Sequence, residues 1–178
     1  MHPGTDEELM LAFQGGEAAA YEELFARYKN SIYGYLRRRL NDPGRAEELT
    51  QDVFLALVQR RNGYEVRASF RTYLYRIALN RLATELRRRP REEPAAANPT
   101  PSASEPEIVQ QVREAISKLD ADHREVVFLR EYQQLSYAEM AAVLNIPVGT
   151  VRSRLFRAKL ALKELLAPTE SGSVSGSA

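Results

Sequence analysis

Cysteine is absent from the chain, which excludes disulfide frameworks, thiolate metal sites and a cysteine nucleophile. Histidine is scarce. His2 lies in the N-terminal tail, and His123 stands alone in DADHREVV, where a helix-surface or partly buried role is the expectation. Two histidines so far apart make no zinc site, and no metal or cofactor is expected. Long apolar runs are missing as well. No stretch approaches the length needed to span a bilayer, and the start, MHPGTDEELM, lacks the apolar core of a signal peptide. The sequence-based expectation is therefore a cytoplasmic chain with no membrane insertion. There is no phosphate-binding glycine loop and no nucleophile paired with a base, so the chain is not expected to be an enzyme.

What is present is an ordinary globular balance. Of 178 residues, 44% are hydrophobic and 28% charged, enough for one or two small domains. The net charge is only +1, but it is unevenly spread. In the first half the acids cluster early, at Asp6–Glu8, Glu17, Glu22, Glu23, Glu47, Glu48 and Asp52. Bases dominate from Arg60 to Arg91. This asymmetry fits one acidic or mixed surface for a protein partner and one basic surface for nucleic acid, or else two solvated helix faces.

The most informative stretch is Leu135 to Lys163, LSYAEMAAVLNIPVGTVRSRLFRAKLALK. Ser136 and Glu139 form a capping-box pattern that opens a helix, with Met140, Ala141, Val143 and Leu144 as its apolar residues. Asn145-Ile146-Pro147 breaks that helix, and a second begins near Val148. Val151 and Leu155, four apart, turn inward, which leaves Arg152, Ser153, Phe156, Arg157 and Lys159 for other surfaces. The pattern is a helix-turn-helix, whose second helix enters the DNA major groove. Arginine there pairs bidentately with guanine or neutralises phosphate. A stand-alone repressor or activator uses the same motif. It would need a dimer surface or a sensor domain, and neither shows in the sequence.

The remainder reads as helices. Thr5 and Glu8 cap a short one over Asp6–Gln14, ended by Gly15-Gly16. Glu17–Leu40 carries a stripe of Tyr21, Leu24, Phe25, Tyr28, Ile32, Tyr35 and Leu36. Asp42-Pro43 starts a third helix, to about Arg61, with Leu49, Val53, Phe54, Leu57 and Val58 inward. After a loop to Ala68, Ser69 caps a fourth from Phe70 to about Arg89, with Phe70, Leu74, Ile77, Ala78 and Leu82 on one side. Pro90–Pro106 holds five of the nine prolines and reads as an extended linker. At roughly 3 Å per residue it reaches up to about 50 Å. Two further helices are expected near Glu107–Lys118 and Asp122–Tyr132. Residues 168–178, PTESGSVSGSA, have a disordered composition. The fold class is all-α: two small helical domains joined by a Pro/Ala-rich linker, the second ending in the helix-turn-helix.

Four stretches carry a family resemblance: YEELFARYKNSIYGYLRRRL at Tyr21–Leu40, AEELTQDVFLALV at Ala46–Val58, FRTYLYRIALNRLATELRRR at Phe70–Arg89, and LSYAEMAAVLNIPVGTVRSRLFRAKLALKEL at Leu135–Leu165. In this order they resemble the extracytoplasmic-function sigma factors of bacterial RNA polymerase. The resemblance implies region 2 over residues 1–89, a linker over 90–106, region 4 over 107–167 and a tail over 168–178. It implies a promoter-specificity factor without catalysis of its own, acting with core RNA polymerase on duplex and melted non-template promoter DNA and restrained by an anti-sigma factor. Glu48, Leu49, Gln51 and Asp52 would face the polymerase. Tyr64, Arg71, Tyr73, Arg76, Asn80 and Arg81 would serve the −10 element and strand opening. Thr150, Arg152, Ser153, Phe156, Arg157 and Lys159 would serve the −35 element. The physical logic of the middle group stands apart from the family, because capturing an unstacked base takes aromatic or pocket-forming groups plus cations along the strand. Tyr64, Phe70, Tyr73 and Tyr75 are the aromatics available, with Phe70 also expected in the core. Phe156 has a competing reading, packing on Tyr132 or Leu135. Family members commonly carry Trp where Tyr73 stands and Asp where Thr84 stands.

Overall fold

A computed structural model describes residues 4–40, 42–88 and 106–167. The linker and tail expected at 90–106 and 168–178 fall outside these residues, apart from Pro106. Among the described residues there are eight α-helices and no strand.

Local chemistry sets the boundaries of the first four helices. Helix α1 (Asp6–Gln14) opens with a complete capping box. The Glu8 amide donates to Thr5 Oγ1 at 3.2 Å, and the Thr5 amide donates to Glu8 Oε2 at 2.8 Å. The chain leaves it through Gly16, whose φ of 106° is strained for any residue with a Cβ. Helix α2 (Ala18–Arg39) ends in three arginines that complement its dipole. In α3 (Pro43–Gln59), Asp42 caps the Arg45 amide at 3.0 Å and Pro43 sits in the first turn. After a 3₁₀ turn at Arg61–Gly63, α4 (Phe70–Arg88) is capped twice. Ser69 Oγ accepts from the Thr72 amide at 3.2 Å, and Glu7 of α1 accepts from the Phe70 amide at 2.7 Å.

These helices pack around apolar faces at helical spacing. Leu24, Ile32 and Leu36 meet Val53, Phe54 and Leu57, and Phe70, Leu74, Ala78 and Leu82 close the group. Phe25 contacts Phe54 edge-on with ring centres 4.8 Å apart, and Tyr28 contacts Phe70 likewise at 5.4 Å. A bidentate pair links α3 to α4: Arg45 Nε and Nη2 reach Glu85 Oε1 and Oε2 at 2.9 and 2.7 Å.

The second group begins with α5 (Glu107–Ser117) and α6 (Ala121–Val127), the latter capped by Asp120 on the His123 amide at 2.9 Å. The sequence predicts one helix to Tyr132. The chain instead passes at Phe128 into a π turn, Phe128–Tyr132, followed by Gln134 in a left-handed conformation (φ 54°). Helix α7 (Tyr137–Leu144) has both capping-box bonds between Ser136 and Glu139, and Asn145 ends it at φ 53°. Helix α8 (Val148–Leu166) follows from Pro147. Ile116, Leu119, Val126, Val127, Phe128, Leu129, Met140, Val143, Val151 and Leu155 form the core of this group.

The two groups touch. Helix α4 lies against α7, and among the described residues four hydrogen bonds or ion pairs cross between the groups. Tyr35 Oη donates to Glu125 Oε1 at 2.6 Å, and Arg39 Nη1 stands 2.9 Å from Glu125 Oε2. Tyr75 Oη donates to Gln133 Oε1, and Arg71 Nη2 donates to the Gln133 main-chain carbonyl. Arg38 stacks over the Tyr132 ring, 4.6 Å from its centre.

Candidate nucleic-acid interface

Helix α8 is divided lengthwise. Val151, Leu155 and Ala158 are buried, while Arg152, Ser153, Phe156, Arg157 and Lys159 are exposed and Thr150 is half-buried. The inward residues are spaced four and three apart, so their neighbours in sequence must project away from the core. Phe156 is 70% exposed, which excludes the packing on Tyr132 or Leu135 that its apolar ring also allowed. An uncovered aromatic ring among cations suits contact with a thymine methyl. The helix is held at its base by Arg154, whose Nη2 pairs with Asp122 Oδ2 at 2.6 Å. Ser153 Oγ donates to the Thr150 carbonyl at 3.0 Å, and Lys159 lies 3.8 Å from Glu131. Arg152 and Arg157 form no ion pair among the described residues.

The second basic surface is built on α4 and the loop before it. A cavity of about 340 Å³ opens between them, lined by Gly63, Glu65, Arg67, Thr72, Tyr73 and Arg76. Tyr73, Arg76 and Asn80 follow at three- and four-residue steps and share one face of α4. Tyr73 is half-buried, and burial raises its hydroxyl pKa above the ordinary tyrosine value. Arg76 and Asn80 are exposed and Arg81 is half-buried.

Three expected contact residues are placed differently. Tyr64 is 4% exposed, wedged edge-on between Phe70 (6.3 Å) and Tyr73 (5.1 Å). It supports the cavity wall from behind instead of presenting a ring to solvent. Burial first, then Glu7 and its other neighbours, push its pKa up to about 12. Its hydroxyl is buried and has no hydrogen-bond partner among the described residues. Leu49 is buried because it stands at helical spacing between Ala46 and Val53, both core residues. Arg71 lies on the opposite side of α4 from Arg76, one turn before Tyr75, and binds the second group. Tyr75, read as an available aromatic, is fully buried there.

On α3, Glu48 and Gln51 are exposed and Asp52 is half-buried, so these three form a polar strip on the outer face. Glu48 pairs with Arg45 at 2.6 Å. The sequence reading missed Leu55, which continues the strip and is 54% exposed. Its position three and four residues after Asp52 and Gln51 was the available signal, obscured by the apolar residues around it. Among the described residues no cluster of metal-binding side chains occurs, and no helix is long and apolar enough to cross a membrane.

Comparison with known proteins gives the same two-part division. The family model described as Sigma-70 region 2 matches residues 24–92, and that of Sigma-70, region 4 matches residues 109–162. The chain is 31% identical over 182 residues to the RNA polymerase sigma-H factor of Pseudomonas aeruginosa, covering 92% of this chain and 94% of that protein. It is 30% identical over 183 residues to the ECF RNA polymerase sigma-E factor of Escherichia coli, covering 92% and 95%. Among solved structures it is similar to CnrH, determined in complex with the cytosolic domain of CnrY. The TM-score is 0.74 at 27% identity, over 90% of this chain and 96% of that one.

Proposed function

The chain belongs to the extracytoplasmic-function branch of the sigma-70 family, and on that premise we propose how its residues divide the work of initiation. It is a sigma factor that binds core RNA polymerase, recognises −10 and −35 promoter elements and directs transcription initiation. Core polymerase, promoter DNA and an anti-sigma factor are its partners. In our reading the chain works in the cytoplasm, carries out no catalysis itself, and leaves bond formation to the polymerase. Region 2 runs over residues 1–89, the linker over 90–106 and region 4 over 107–167.

The observation that carries the residue assignment is the one-sided exposure of α8. Arg152 and Arg157 read bases or phosphates of the −35 element, with Ser153 and Phe156 beside them and Thr150 and Lys159 near the backbone. The cavity beside Tyr73 and Arg76 receives an unstacked −10 base, and Asn80 and Arg81 follow the strand. Arg71, which donates to the Gln133 carbonyl, lies on the other side of α4 from this cavity. Tyr64 acts by holding Tyr73 in place. Glu48, Gln51, Asp52 and Leu55 meet the polymerase, and Leu49 supports them from the core. A bidentate arginine–guanine pair is worth about 1–3 kcal/mol, and a stacked base about as much. Neither alone selects a promoter from a genome, so reading two elements with one linked chain supplies the discrimination.

The test is Arg152→Ala with Arg157→Ala in transcription with purified core polymerase. Initiation from a two-element promoter should fall roughly 10- to 100-fold, the equivalent of one or two lost base contacts. Binding to core polymerase should stay intact. Loss of polymerase binding would overturn the assignment of these residues to DNA.

A further inference from the structure

The cavity beside Tyr73 and Arg76 has two kinds of wall. Thr72, Tyr73 and Arg76 belong to α4 and are fixed by its hydrogen-bonded backbone. Gly63, Glu65, Arg67 and Ala68 form a rim that belongs to the 3₁₀ turn and the loop after it. Residues 65–68 are exposed, and the bond from the Arg67 amide to the Glu65 carbonyl (2.8 Å) is local. A local bond sets the shape of a loop but not its place on the molecule.

Helix α1 sets that place. Glu7 and Gln14 stand seven residues apart on it, close to two turns, so they share one face about 10 Å apart. Glu7 Oε1 accepts from the Phe70 amide, where the loop ends. Where the loop begins, Gln14 Nε2 reaches the carbonyls of Arg61, Asn62 and Tyr64 at 3.0, 3.1 and 3.3 Å. The Arg61 guanidinium also lies over the Phe13 ring, 5.4 Å from its centre. Three carbonyls thus converge on one amide nitrogen that carries two protons. They belong to the end of the 3₁₀ turn, where intrahelical partners run out. Only a donor fits among them, because the near-isosteric carboxylate of glutamate would set oxygen against oxygen.

We propose that Gln14 is a positioning residue for base capture: it holds the rim of the Tyr73–Arg76 cavity in place, so that an unstacked promoter base meets a preformed pocket. The capture itself rests on the function proposed above. Gln14 does not line the cavity, so its influence passes through the loop. A rim already in place needs no ordering when the strand arrives, whereas a loose rim is ordered at the expense of affinity.

Two measurements separate the tether from its consequence. Amide hydrogen exchange on the full chain, without polymerase or DNA, reads the loop at Gly63 and Tyr64, whose amides bond the Arg60 and Arg61 carbonyls. Gln14→Glu should speed exchange there about tenfold. Gln14→Ala, which removes the donor without adding a charge, should speed it less. Gln14→Lys keeps a donor and should stay closer to wild type. The second measurement uses the holoenzyme assembled with core polymerase. Its ligand is a single-stranded oligonucleotide carrying the −10 element of a promoter mapped with the wild-type chain. Gln14→Glu should bind this strand about tenfold more weakly, a loss of one to two hydrogen bonds. Affinity for core polymerase and for a −35 duplex should not change, and Gln14→Lys should recover much of the strand affinity.

Unchanged exchange at Gly63 and Tyr64 in both Gln14→Glu and Gln14→Ala would overturn the tether. Equal losses for strand, −35 duplex and core polymerase would reduce Gln14 to a folding role and overturn the positioning. So would faster exchange with unchanged strand affinity, provided that Tyr73→Ala or Arg76→Ala weakens the strand. Unchanged affinity in all of these variants would instead reject base capture at this cavity, the reading beneath the proposal, while the exchange result would still stand.

Discussion

Glu7 shows how one side chain joins distant parts of the chain. It stands in the acidic first turn of α1, where a carboxylate is already favourable, yet its Oε1 accepts from the Phe70 amide that begins α4. Glu7→Ala leaves a helix-starting amide without its partner. The expected loss is about 1 kcal/mol, read as a lower urea midpoint with an unchanged slope, and Glu7→Gln should recover part of it. Tyr64 and Tyr75 give a second prediction at this scale. Burial is the main cause that pushes each hydroxyl up to about 12. An acid whose folded pKa is raised stabilises the fold fully below its unfolded value, near 10, and this stabilisation is lost as pH rises toward 12. Stability should therefore hold up to about pH 10 and then fall, together with a late phase in the tyrosinate absorbance titration. A tyrosinate signal complete near the ordinary value, with no late phase, would contradict the burial of these two rings.

Helices were the most legible elements because their ends carry chemistry. Thr5, Asp42, Ser69 and Ser136 each mark a start in the sequence, and each accepts a bond from a helix amide in the structure. The inward faces were legible from spacing, since apolar residues recurring at three- and four-residue steps share one side of a helix, whereas single apolar residues off that stripe, such as Leu55, stay exposed. Tyrosine was harder. Its ring is apolar and its hydroxyl polar, so Tyr64 and Tyr75 fit a strand-capturing surface as well as a core, and only tertiary packing decides. The π turn at Phe128 was not legible, because its residues keep a helical apolar pattern. The inward roles of Glu125 and Gln133 depend on partners more than fifty residues away. On the binding side, the outward strip of α8 was legible because the core positions left it no other place.

Asn145 supplies the element-scale prediction. It holds φ 53° between α7 and α8 while its side chain is exposed. Asparagine tolerates this region and glycine prefers it, but a β-branched residue does not. Asn145→Gly should leave the melting temperature nearly unchanged. Asn145→Val should cost about 1–2 kcal/mol and weaken −35 binding beyond that loss, because the turn sets the angle at which α8 is presented. Equal −35 affinity in both variants at matched stability would mean that the turn serves folding only.

At the scale of the whole molecule, a sigma factor needs a separation between its DNA-reading surfaces large enough for two promoter elements. The linker expected at 90–106 can reach up to about 50 Å, roughly fifteen base steps of B-form DNA. In the structure the two groups also meet directly, where α2 and α4 contact α6 and the π turn. The ring centres of Tyr35 and Tyr75 lie 5.8 Å apart at that seam, and each hydroxyl bonds an oxygen of the other group.

That pair of rings has an optical consequence. With nine tyrosines and no tryptophan, the emission of this chain under ultraviolet excitation is phenolic, with no indole to drain it by energy transfer. A phenol hydrogen-bonded to a carboxylate passes its proton toward it in the excited state and loses emission. Tyr35 against Glu125 should therefore be dim while the groups are together. Glu125→Gln should brighten the unlabelled protein, and equal brightness would mean that the phenol and carboxylate are not joined in solution. Tyr35 emission thus reports this one contact on a chain that carries no dye.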